Sequence, residues 1–118
     1  MEDSLKEDVG NLCQIAYIGC MYGDVLYARR IFEALLEYNP DMTVAKIGMA
    51  YSHLVVDEFN EGDELLQELD QDNDDVLSMQ AVSKVLQKDE TEARYFYDRV
   101  KDKSSPSARF AEQMLAIL

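Results

Sequence analysis

Basic side chains are scarce in this chain. Its 118 residues hold 11 Lys and Arg against 24 Asp and Glu, a formal charge of -13 at pH 7. A surface of that sign repels phosphate backbones and anionic headgroups, which argues against nucleic acid and membrane insertion. Residues 1–83 carry 18 acids against 4 bases and residues 84–118 carry 6 against 7, so a partner with a basic patch is expected toward the first part. Proline and glycine are also rare, at 2 and 5, while apolar residues reach 47%. That composition lies outside the disordered class, and the length suits one domain, 1–118. No apolar run approaches the roughly 20 residues of a membrane span. The opening Met1-Glu2-Asp3-Ser4 lacks the basic-then-apolar order of a secretory signal. A cytoplasmic protein is the expectation.

Chemically active residues are equally sparse. The only two cysteines, Cys13 and Cys20, fall on one expected helix, where seven residues at about 1.5 Å each separate them by about 10 Å, too far to bridge. Half-buried thiols in a reducing compartment are expected. The sole histidine, His53, lies in a helical run with no serine or cysteine at nucleophile–base spacing, and no glycine-rich phosphate loop is present. A non-enzyme without cofactor is the reading that follows. The acidic run Asp70-Gln71-Asp72-Asn73-Asp74-Asp75 opens like a calcium loop, but Asp75 and Ala81 stand where the loop needs glycine and glutamate. A solvated turn with Asp74 or Asp75 capping the next helix is expected instead, and no metal.

What the chain does have is a repeat. At an offset of 34, Ile15 pairs with Met49, Ala16 with Ala50, Tyr17 with Tyr51, Val25 with Phe59, Ala28 with Gly62, Phe32 with Leu66 and Leu35 with Leu69. A third copy follows at 31, with Ala81, Ala93, Tyr97 and Val100 in the places of Ala50, Gly62, Leu66 and Leu69. Small residues alternating with large ones are what two closely packed helices need. The period matches the tetratricopeptide repeat. The expected fold is therefore all-α, a tetratricopeptide-like right-handed stack with repeats about 9–42, 43–73 and 74–104. Helices are expected near 5–22, 24–38, 43–56, 58–70, 74–87 and 89–101, with Gly23-Asp24 breaking the first and capping the second and Asn39-Pro40-Asp41 ending the second. A last amphipathic helix over 106–117 is expected to seal the open end.

In such a stack the first helix of each pair lines a concave groove. Those positions are Cys13, Tyr17, Cys20 and Met21, then Val44, Ile47, Tyr51, Leu54 and Val55, then Ser78, Val82, Val85 and Leu86. Nearly all are apolar, and the Lys, Arg and Asn that grip a terminal carboxylate are missing. An apolar trough suits an amphipathic helix laid along it. The competing expectation is a collapsed bundle in which these residues are core.

The run Leu12-Cys13-Gln14-Ile15-Ala16-Tyr17-Ile18-Gly19, the three degenerate repeats and the closing Ala108-Arg109-Phe110-Ala111-Glu112-Gln113-Met114 together resemble a known family. It is the small tetratricopeptide-like needle-subunit chaperones of bacterial type III secretion, the YscG-type G component. The resemblance covers nearly the whole chain. It implies a bacterial cytoplasmic protein tied to virulence that cradles an apolar helix of the needle subunit and prevents premature polymerisation. It also implies pairing with a small helical co-chaperone capping one end of the stack, a heterotrimer in all. By groove position, Tyr17, Ile47, Tyr51, Leu54 and Val82 would then contact the needle subunit. Chaperones of translocators or of an early export component remain open as relatives, as does a generic scaffold domain.

Overall fold

The structure, a computed structural model, describes residues 2–118, with side chains from Ser4 onward. Seven α-helices and, among the described residues, no strands make up the chain. They are α1 (Glu2–Met21), α2 (Val25–Tyr38), α3 (Thr43–Leu54), α4 (Phe59–Gln67), α5 (Asp74–Leu86), α6 (Glu90–Arg99) and α7 (Pro106–Leu115). Every expected helix is present. α1 starts earlier than expected.

The sequence repeat recurs in the backbone. Gly23, Asp57 and Lys88 take positive φ values of 82°, 63° and 62°, and their numbers differ by 34 and then 31. Each closes a helix with the same pair of hydrogen bonds. Gly23 N donates to Cys20 O at 3.0 Å and Asp24 N to Gly19 O at 2.8 Å; Asp57 N to Leu54 O at 3.2 Å and Glu58 N to His53 O at 3.0 Å; Lys88 N to Val85 O at 2.9 Å and Asp89 N to Lys84 O at 2.9 Å. This is the Schellman ending, which satisfies carbonyls left open at a helix C-terminus and turns the chain back on itself.

Side chains at matching register do matching work. Ala16, Ala50 and Ala81 are completely buried, as are Ala28 and Ala93, with Gly62 in the same place in the second pair. Absence of bulk there lets paired helices approach: a Cβ on Gly62 would come within 3.2 Å of Ala50 O and closer still to Leu54. α1, α3, α5 and α7 each pack on the next, and α2, α4 and α6 lie behind, each bridging to the following pair. The central member, α5, is therefore enclosed by α3, α4, α6 and α7, and every residue from Val76 to Ser83 is buried.

Two capping expectations need correction. Asp24 sits at the start of α2 but its side chain caps nothing. The cap of α5 is Asn73, whose Oδ1 accepts from Asp75 N at 2.8 Å and Val76 N at 3.2 Å. Asp74, expected as a cap, reaches across instead and accepts from Lys101 N and Asp102 N, both at 3.0 Å, fastening the turn that leads to α7. Those two bonds hold the Asp74 carboxyl below its ordinary pKa of 3.8.

Candidate functional site: an apolar groove across the first helices

The first helices present one face to an open groove of about 480 Å³. Tyr17, Tyr51 and Val82 hold one repeat register and all line it. Tyr17 and Tyr51 stack with ring centroids 6.1 Å apart and planes inclined by 27°. The edge of Phe32 supports Tyr17 from behind at 5.3 Å. The Tyr17 hydroxyl donates to Val44 O at 2.6 Å, which ties α1 to the first turn of α3. Burial, helped by its neighbours Cys13, Cys20, Asp75 and Tyr51, pushes the Tyr17 phenol far above its ordinary value of 10.0, so the donor stays protonated. Burial raises Tyr51 as well.

Ile47 and Ser78 share a second register and Val44 and Asp75 a third, and all four line the groove, as does Met21 at its rim. Of the groove positions expected from sequence, Tyr17, Met21, Val44, Ile47, Tyr51, Ser78 and Val82 are thus brought together. Ile47, Tyr51 and Val82 are 4%, 7% and 1% exposed, so they form the floor; Met21 and Val44, at 63% and 45%, are its open edge.

The others lie elsewhere. Cys20, Leu54 and Val85 precede each Schellman turn by three residues, and all three are buried in the core. Val85 packs with Ala93 and Leu115. Cys13 belongs to the core too, and Val55 and Leu86 are half-buried outside the groove lining. Both thiols are buried rather than half-buried, and burial raises Cys13 and pushes Cys20 up to about 11.

Five lining residues were not anticipated: Asp75, Met79, Pro106, Ser107 and Phe110. The last three belong to α7, which does more than close an end. Its Phe110 ring meets Tyr51 edge-on at 6.2 Å and forms the far wall. Pro106 and Phe110 stand four apart and share a helix face, a spacing visible in the sequence whose facing partner was not.

A second apolar surface lies on α1 opposite its core stripe, where Leu12, Ile15 and Ile18 are exposed. The other end of the stack is covered by α7. Among the described residues no three His, Cys, Asp or Glu side chains converge on a point. Of the acids of residues 70–75, Asp70 accepts locally from Asp72 N at 2.9 Å, whereas Asp74 and Asp75 accept from the turn before α7 and from Ser107 on α7. Among the described residues no helix is long and apolar enough to cross a membrane.

No family model, curated protein or solved structure matches this chain.

Proposed function

We propose that the chain is a tetratricopeptide-like protein-binding chaperone without enzymatic activity, holding an apolar helix of a client subunit in the groove between α1, α3, α5 and α7. The observation that carries this reading is the groove's lining: three aromatic rings and five aliphatic or Met side chains surround it, and Asp75 is its one charged residue. An amphipathic helix satisfies its own backbone bonds and needs from its host only a place to bury its stripe. In the type III secretion setting that the sequence resembles, the client is the needle subunit, sequestered in the bacterial cytoplasm before export. The exposed Leu12–Ile15–Ile18 surface of α1 then supplies the seat of a small helical co-chaperone, since α7 already covers the opposite end.

The test is affinity purification of the full chain from its native host, in parallel with Val44→Asp and Met21→Asp. Both residues are exposed, so these variants should fold with stability within about 0.5 kcal/mol of the parent. A carboxylate at the groove edge would nonetheless be desolvated against the bound helix and release it. Recovery of a small helical, polymer-forming subunit with the parent and its loss from both variants is the expected result. A subunit retained equally by all three proteins sinks the groove reading, and a chain that returns alone and monomeric sinks the chaperone reading.

A further inference from the structure

Leu12, Ile15 and Ile18 stand 42%, 47% and 51% exposed on α1, yet their repeat equivalents are covered. Met49 and Ser52 on α3, and Gln80 and Ser83 on α5, hold the registers of Ile15 and Ile18, and each is buried or half-buried. What covers them is the second helix of the preceding pair. Arg29 of α2 donates to Ser52 Oγ at 3.0 Å and to Glu58 Oε1 at 2.6 Å. Asp63 of α4, at the register of Arg29, accepts from Ser83 Oγ and from Lys84 Nζ at 3.2 Å. Both joints thus pair a charged residue of the covering helix with the helix beneath. Among the described residues α1 packs only on α2 and α3, so the equivalent seat on α1 is open.

The inner joints give the direction of an occupant. Arg29, near the start of α2, meets the end of α3, and Phe32 reaches Gly48 one turn back, so the two helices run antiparallel. Charge gives its sign. Asp24 holds the register of Glu58, the acid that receives Arg29; it is exposed and its side chain caps nothing. At the other end Asp8, also exposed, shares the stripe of Leu12 and Ile15. Two acids therefore bracket three apolar side chains. A second copy would bring a further charge of -13 to this acidic end, whereas a basic helix complements it.

We infer that this face of α1 seats a helix from a different, basic protein, docked antiparallel to α1 as α2 docks on α3, with a Lys or Arg meeting Asp24, apolar residues on the turns that follow, and a second base about three turns later meeting Asp8. This rests on the seat assigned to that surface above and adds the occupant's direction and charge. A base at the last turn also suits the negative end of the occupant's own dipole.

The probe is a phage-displayed library of single amphipathic helices with randomised stripe positions, selected on the full chain and on Asp24→Lys and Asp8→Lys. Parent binders should carry two bases about ten residues apart with apolar residues between. Ile15→Lys should weaken them at least about tenfold, since an ammonium would be desolvated under the helix, and Val44→Asp less than about twofold. Binders of Asp24→Lys should exchange the N-terminal base for an acid, and binders of Asp8→Lys the C-terminal one; the opposite assignment overturns the inference. Ile15-dependent binders that ignore both reversals overturn it alone. Absence of any Ile15-dependent binder overturns the seat with it, and Val44-dependent binders from the same selection would leave the groove reading standing. Sedimentation of the parent at micromolar concentration checks the remaining occupant: a dimer that Ile15→Lys dissociates makes a second copy the partner and overturns the inference.

Discussion

The tip of the Phe32 ring, on α2, reaches the backbone of Gly48 in the middle of α3. A Cβ at residue 48 would fall under 3.0 Å from three of its ring atoms. Phe32 is completely buried and wedged by Tyr17, so the ring has no space into which to retreat.

Gly48→Ala therefore sets two effects against each other. Helix propensity favours alanine by about 1 kcal/mol, and overpacking a filled core costs about 1–3 kcal/mol. The packing cost should win, and urea denaturation followed by circular dichroism should show a lower midpoint at unchanged slope. A more stable variant would mean that Phe32 is not locked.

Lys88 offers the opposite case. It is exposed, holds φ 62° and occupies the place that Gly23 fills in the first pair. Left-handed backbone costs a residue with a side chain about 1 kcal/mol, so Lys88→Gly should raise stability by up to about that amount. The measurement is a thermal or urea midpoint; a drop would indicate that the turn after α5 is not the equivalent of the turn after α1.

Thiol chemistry reports the core directly. With Cys20 pushed to about 11 by burial and Cys13 raised by the same cause, neither forms thiolate near neutral pH. A chromogenic disulfide reagent should stay nearly unreactive with native protein and titrate both cysteines at once in denaturant. Rapid reaction of one thiol under native conditions would place that helix face in solvent.

The turn between α3 and α4 is held by charge. Glu58 Oε1 accepts from Arg29 at 2.6 Å and lies 3.0 Å from His53 Nδ1. The Arg29 hydrogen bond first, and that of His53 second, hold its carboxyl below the ordinary value of 4.5. A carboxylate depressed on folding stabilises the protein above its unfolded pKa, and that contribution fades as pH falls through the folded one. Glu58→Gln should thus lower the melting temperature at neutral pH, and the gap to the parent should narrow below pH 4.5. A gap that is constant down to acid pH would remove the ionic contribution.

Offsets of 34 and 31 were readable in the sequence because they are carried by Ala16, Ala50, Ala81 and their partners, whose small size is a local requirement of helix pairing. The same register later accounts for which expected groove residues turned inward. Cys20, Leu54 and Val85 sit at the last turn before each Schellman ending, and a single-helix reading of apolar periodicity does not separate the face toward a partner helix from the face toward a groove.

By itself, then, the sequence determined the all-α class, the helix positions and the apolar character of the face that α1, α3 and α5 share. Periodicity and turn chemistry are written in neighbouring residues. Tertiary structure decided what no local pattern contains: that α7 swings beside α5 so that Phe110 faces Tyr51, that Asp74 abandons the helix start for the backbone of Lys101 and Asp102, and that Ser78 is left without a partner beneath the groove. The first two depend on residues 27 or more positions apart meeting in space. Their meeting is set by how whole helices pack, and the residues themselves carry no mark of it.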